Sequence, residues 1–370
     1  MSQLFSPINL RRLELPNRIV VSPMCQYSAI DGQAQPWHLA HLGSLAISGA
    51  GMLIIEATAV EAIGRITPGC LGLYDPPCEE KLSAILSAVR SFSSMPIGIQ
   101  LGHAGRKASS ARPWDGGGQM ALDQQGWPAV GPSAIAHAEH ELAPQALSLD
   151  KLAALKQRFV EATLRADRLG LDSIEVHAAH GYLLHEFLSP LSNFRNDQYG
   201  GSTQNRIRYP LEVTEAMRRV WPAHKPMGLR ISCSDWVEGG WDIHGTIEFA
   251  GQAHEIGVDW IVASSGGVSP KQKIPVGPGY QVPFASAIKA SVDIPVMCVG
   301  MITEPAQAEE IVASGKADMV ALARAFLYDP RWAWHAAAAL GASVNAPKQY
   351  WRSQPAAHKG LFGEAKTGQR

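Results

Sequence analysis

The chain has 370 residues, of which 46% are hydrophobic and 18% charged, with a formal net charge of −1. That length suits one large domain with an extensive core, and a charge fraction this low excludes a disordered chain. Without a long basic run there is no footprint for nucleic acid, so an anionic ligand must be held by a few placed arginines and backbone amides.

The five cysteines are Cys25, Cys70, Cys78, Cys233 and Cys298. Their number is odd and no two form a C-x-x-C pair, which argues against a disulfide framework or a four-cysteine metal site and for a reducing, cytoplasmic setting. Residues 1–17 lack the apolar run of a secretory signal, and the most apolar stretch, Gly51–Val60, is too short to span a bilayer and contains Glu56. No membrane partner is expected.

In chain order, the first short apolar run is Ile19–Met24, followed by a helical pattern over Leu39–Ile47. A second run at Met52–Glu56 precedes a helix over Glu79–Val89, and a third lies at Ile97–Leu101. The next helix is Leu149–Leu169, with Ser148 as its start signal, and it leads into a run at Ser173–Val176. Helix Gln204–Val220, run Met227–Ile231, helix Thr246–Glu255 and run Trp260–Ala263 continue the alternation. The chain then passes through Pro295–Val299, helix Glu304–Ala313 after Thr303, run Met319–Leu322 and helix Pro330–Leu340. Each apolar run is too short and too continuous for an amphipathic helix and reads as a strand buried on both faces. Eight such strands alternating with helices predict an α/β fold, a (β/α)8 TIM barrel rather than an open sheet.

One spacing breaks the pattern. About 70 residues separate the third and fourth strands. Residues 102–147 are rich in Gly, Pro, Trp and His and fall on the barrel face where active sites sit. They are expected to form a cap over a pocket. Residues 345–370 follow the last barrel helix, and Gln349-Tyr350-Trp351-Arg352 is too aromatic for a mere disordered tail. The whole of 1–370 reads as one barrel domain.

Functional side chains of such a barrel come from the C-terminal ends of its strands. Strand one ends Ser22-Pro23-Met24-Cys25-Gln26-Tyr27 and delivers a thiol to the mouth. Strand two ends Glu56-Ala57, where a small residue lets a flat ligand approach. Gln100 ends strand three and could pair with a ligand amide edge or be satisfied internally. Strand four continues into His177-Ala178-Ala179-His180-Gly181-Tyr182. Two histidines three apart and a tyrosine at one junction are donors fit to hold a carbonyl or phenolate oxygen. A metal pair or a structural role are the other readings of those histidines. No HExxH and no suitably spaced acidic ligand supports the metal, and none is expected. Arg230, deep at the end of strand five, requires an anionic partner, for which Glu175 and Asp235 are the structural candidates. Gly300 after strand seven, with Ala323-Arg324 after strand eight, matches the phosphate site of this barrel class. Together these features describe one phosphate at one side of the mouth and hydrogen-bonding groups at the other. No GxGxxG opens a helix after a strand, which argues against a dinucleotide fold.

The string Glu175-Val176-His177-Ala178-Ala179-His180-Gly181-Tyr182-Leu183-Leu184-His185-Glu186-Phe187-Leu188-Ser189-Pro190, continuing through Asn193, Arg195, Asp197 and Tyr199-Gly200-Gly201-Ser202, resembles the signature segment of the old yellow enzyme family. The likeness runs from Leu4-Phe5 to Trp351-Arg352. Cys25 and the His177/His180 pair are similar to the thermophilic-like bacterial branch, which includes xenobiotic reductases. The resemblance implies non-covalently bound FMN, NADPH or NADH as electron donor, and reduction of activated C=C bonds. It implies that Ser22, Pro23, Met24, Cys25, Ala57, Gln100 and Arg230 contact the flavin ring, and that Gly300, Ala323 and Arg324 hold its phosphate. His177 and His180 would then bind the substrate oxygen, Tyr182 would supply the proton and Tyr27 would line the substrate site. Trp351 and Arg352 resemble a segment that reaches a neighbouring subunit, which implies a homodimer or homotetramer. Two departures stand out: Ala323-Arg324 replaces the usual Gly-Arg, and the tail continues eighteen residues past Arg352. Read from the strand ends alone, a non-redox lyase or isomerase using His177 and His180 as acid and base stays open.

Overall fold

In the computed structural model, which describes residues 2–363, eight parallel strands close into a barrel. They are β1 (Ile19–Val21), β2 (Met52–Ala59), β3 (Ile97–Gly102), β4 (Ser173–Ala178), β5 (Met227–Ser232), β6 (Trp260–Ser264), β7 (Val296–Cys298) and β8 (Met319–Leu322). Neighbours in the barrel are neighbours in sequence, and β8 returns to pair with β1 through Leu322 and Val21. All eight predicted strands are present. Nearly every strand residue is buried, because helices cover the outer face and side chains fill the inner one.

The barrel interior holds Val20, Met52, Ile54, Trp260, Val262, Met297 and Met319. Leu10 and Leu15 of a short antiparallel hairpin, Ile8–Leu10 with Leu13–Leu15, join this cluster. Met52, Trp260 and Met319 each begin their strands, so the hairpin plugs the N-terminal mouth and leaves the C-terminal mouth free for chemistry. The sequence reading did not anticipate this hairpin, whose three-residue strands carry too little pattern. Gly228 is glycine for a packing reason. A β-carbon there would meet the Trp260 ring at 1.9 Å.

The predicted helices all form. Ser148 caps Leu149–Arg168 with its hydroxyl 3.3 Å from the Lys151 amide, as expected. The helix expected to begin at Glu304 begins one residue later, with Glu304 as cap and Pro305 at the first helical position. Leu183–Leu188, Val282–Ser291 and Arg324–Tyr328 are helices beyond those anticipated. All six residues of the first are buried, His185 and Glu186 included, so it has no solvent-exposed face to produce a period.

Residues 103–147 contribute no barrel strand. They form two short 3-10 turns and the parallel pair Val130–Gly131 with Gln145–Ala146. Trp114 of this segment meets the Tyr27 ring edge-on, with centroids 5.6 Å apart, which brings it over the mouth. The described part of the tail lies on its own chain. Tyr350 and Phe362 both pack on Trp334 of helix Trp332–Leu340, at 5.6 and 4.9 Å. Residues 364–370, the end of the predicted tail segment, lie outside the described residues. No helix of the described residues is long and apolar enough to cross a membrane, and all five cysteines are free.

Candidate active site at the C-terminal mouth of the barrel

His177 leaves the mouth end of β4, and the chain then turns sharply. His180 and Gly181 take φ values of 60° and 73°, a left-handed pair that brings His180 and Tyr182 back over His177. His180 Nδ1 lies 3.4 Å from His177 Nε2. The Tyr182 ring stands edge-on to both imidazoles, with centroids at 5.0 Å from His177 and 6.5 Å from His180. His180 Nε2 is 2.7 Å from the Ser264 hydroxyl at the end of β6.

Burial, reinforced by the nearby Arg230 charge, holds both imidazoles well below their ordinary pKa. Each is therefore neutral at neutral pH, with one N–H to donate. Burial also pushes the Tyr182 phenol well above its usual value, with Cys25 adding to the rise. Tyr182 therefore keeps its proton at neutral pH.

Beside this trio lies a cavity of about 440 Å³ lined by Ser22, His180, Arg230, Gly300, Ala323 and Arg324, among others. Arg230 donates to the Ser22 hydroxyl at 3.0 Å, but its buried Nε has no partner. Arg324 is exposed and makes no ion pair among the described residues. A buried guanidinium with an unpartnered Nε at one place and an exposed guanidinium at another suit a flat ligand with a polar ring edge and a single phosphate. FMN has that shape, and these residues fit it.

The acid facing Arg230 is Glu175, which offsets part of the cost of burying the guanidinium. Gln100 Nε2 donates to Glu175 Oε1 at 2.7 Å, so the internal partner weighed for Gln100 exists. Asp235, the other candidate for Arg230, pairs elsewhere: its Oδ1 lies 2.9 Å from His185 Nε2.

Past β1, Pro23 and Met24 are half-buried, Met24 against the core. The Gln26 amide donates to Glu56 Oε2 at 3.1 Å and anchors the loop. The Cys25 thiol is pushed well above its ordinary pKa, first by the neighbouring Cys70 thiol and then by burial. It is a thiol and not a thiolate at neutral pH. Ala57, His177 and Tyr182 line a narrower cleft with Cys70 and His103. Thus Ser22, His180, Arg230, Gly300, Ala323 and Arg324 share one cavity, and Ala57, His177 and Tyr182 share its neighbour. Trp351 and Arg352 line neither; Trp351 Nε1 donates to the Ala346 carbonyl and Arg352 is exposed.

Sequence reasoning missed the supports of this site. Lys107, which follows β3 within the cap, bonds the His180 carbonyl at 2.8 Å. His185 Nδ1 accepts from the Gly181 amide at 2.8 Å. Cys70 comes from the loop after β2. A lysine two residues past the string Gly102-His103-Ala104-Gly105 was the one available signal for the first; the others had none at local range.

Comparison with known proteins now decides the family. The family described as NADH:flavin oxidoreductase / NADH oxidase matches residues 3–342. The chain belongs to this family. It is 43% identical over 352 residues to an NADPH dehydrogenase of Bacillus subtilis, with 95% of this chain and 98% of that one covered. An NADPH dehydrogenase of a Geobacillus species is 42% identical over 353 residues, covering 95% and 98%. Among solved structures, morphinone reductase is similar with a TM-score of 0.76 and 26% identity, covering 99% of this chain and 96% of that one. The old yellow enzyme resemblance is thereby borne out. This family member is an FMN-dependent oxidoreductase that takes electrons from NAD(P)H.

Proposed function

We propose that this oxidoreductase is an ene-reductase acting on α,β-unsaturated carbonyl and nitro compounds, through alternating half-reactions with NAD(P)H and the alkene. The observation that carries this reading is the pair of neutral imidazoles, 3.4 Å apart at their nearest nitrogens, with a protonated Tyr182 beside them. Bound FMN supplies the hydride chemistry.

His177 and His180 donate hydrogen bonds to the substrate oxygen and draw electron density away from the β-carbon. This is the physics of an oxyanion hole, where donors are aimed before charge develops. Tyr182 Oη delivers the proton to the α-carbon. Ser22, Pro23, Met24, Cys25, Ala57, Gln100 and Arg230 would hold the flavin ring, where the Arg230 cation would offset negative charge. Gly300, Ala323 and Arg324 would hold the phosphate; an alanine amide would serve here as well as a glycine amide. Tyr27, at the mouth beside Trp114, borders the substrate. Trp351 and Arg352 contribute to the site of a neighbouring copy in a homodimer or homotetramer. Five free cysteines support a cytoplasmic location.

The test is spectroscopic. Purified protein should carry flavin absorbance near about 450 nm, bleach anaerobically with NADPH, and recover on adding 2-cyclohexenone. Protein without the flavin band would return His177 and His180 to non-redox acid–base chemistry, and bleached protein that 2-cyclohexenone leaves reduced would overturn the alkene as oxidant. Arg324→Ala should weaken FMN retention by about 10- to 100-fold, the scale of one lost charge-assisted hydrogen bond. The ratio of 450-nm absorbance to protein after dialysis reads this out.

A further inference from the structure

The peptide unit joining His180 to Gly181 is held at both of its polar ends by ionisable side chains, the half-buried Lys107 and the buried His185. On one side, Lys107 Nζ donates to the His180 carbonyl at 2.8 Å and to the Gly267 carbonyl at 3.0 Å. On the other, the Gly181 N–H donates to His185 Nδ1 at 2.8 Å. His185 and Asp235 are fully buried side chains, with His185 Nε2 2.9 Å from Asp235 Oδ1. The remaining Asp235 oxygen accepts from the Ser189 hydroxyl at 2.6 Å and the Trp241 amide at 2.7 Å. Asp235 therefore cannot turn away from the ring.

These contacts define a tautomer. A His185 that accepts at Nδ1 carries its proton on Nε2, the nitrogen facing Asp235. Asp235 thus selects the form of His185 able to receive the Gly181 amide. The turn needs this help. His180 sits at φ 60°, a conformation disfavoured for a side chain with a β-carbon. Gly181 and Gly267 pack so closely that a β-carbon on Gly181 would lie 2.1 Å from the Gly267 carbonyl oxygen. Two carbonyls brought together there, those of His180 and Gly267, share the single Lys107 ammonium. The same ammonium lies 5.0 Å from the centre of the Tyr182 ring.

We propose that Lys107 and the Asp235–His185 pair are positioning residues that clamp the His180–Gly181 peptide and so aim His180 and Tyr182 at the substrate. Neither Lys107 nor His185 lines the cavities, so each acts through the turn it holds. The inference rests on the reading of His177, His180 and Tyr182 as the substrate-activating set.

Isosteric variants of the flavin-loaded enzyme separate a clamp from a merely structural role. His185→Asn keeps an acceptor near the Nδ1 position but leaves Asp235 without its partner. His185→Gln keeps a donor near the Nε2 position but loses the acceptor for Gly181. The clamp therefore predicts opposite orders for function and stability. His185→Gln should be the more thermostable of the two, yet should bind 4-nitrophenol at least about 10-fold more weakly and reduce 2-cyclohexenone about 10- to 100-fold more slowly than His185→Asn. Lys107→Met should show the same loss of 4-nitrophenol binding at unchanged FMN content, read from the 450-nm band. Binding and stability falling in the same order in the two His185 variants would overturn the clamp, as would wild-type 4-nitrophenol affinity in Lys107→Met. A His177→Ala/His180→Ala control distinguishes the two levels. If it binds 4-nitrophenol like wild type, the substrate-binding reading itself fails. If it loses binding while Lys107→Met and His185→Gln keep it, only the clamp fails.

Discussion

Alanine at both His177 and His180 should abolish binding of phenolic ligands and slow alkene reduction by at least about 10³-fold. Losing one aimed donor costs roughly 10²–10³ in rate, and two donors on one oxygen act as a unit whose losses do not simply multiply. The loss should fall on the alkene step, measured by stopped-flow reoxidation of pre-reduced enzyme with 2-cyclohexenone. Retained turnover would remove these residues from substrate activation. The acid side of the pH profile carries a second signature. Burial and Arg230 hold both imidazoles well below 6.5, so they do not charge as the pH falls through 6.5. The wild-type alkene step should stay level from about pH 7.5 to about pH 6. A fall centred on an ordinary histidine pKa would show that an imidazole is titrating in water-like surroundings, which the geometry does not permit.

Tyr182→Phe should slow the oxidative half-reaction by about 10²–10⁴-fold, the usual contribution of a placed general acid. Flavin reduction by NADPH should be spared, because that half-reaction needs no proton on the α-carbon. The two half-reactions are separable in a stopped-flow instrument, with the flavin band reporting each. Equal slowing of both would assign Tyr182 to packing in the mouth instead. Phenylalanine is a clean probe here because the Tyr182 hydroxyl holds no hydrogen bond to another described residue, so its removal strands no buried partner.

Much of the barrel was legible because its signals are local. A strand buried on both faces shows as a continuous apolar run, and a covering helix shows as a 3.6-residue period. Those signals fail where an element has no contrast. Helix Leu183–Leu188 is wholly buried and the N-terminal hairpin strands are three residues each, so neither prints a pattern. The strand-end rule likewise brought Ser22, Arg230, Gly300 and Arg324 to one cavity, although they come from distant parts of the chain.

The sequence by itself determined the barrel, the residues at its mouth and, through the long string around His177 and His180, the family. All of these depend on the order of neighbours along the chain. Only the tertiary structure decided the partners of the charges and the contacts of the His180–Gly181 turn. Asp235 faces His185 and not Arg230, and Lys107 reaches the His180 carbonyl across a separation of 73 residues. Such pairings are set by which buried polar groups meet when the loops close over the mouth. Most buried donors find an acceptor there, and no local period in the chain encodes that choice.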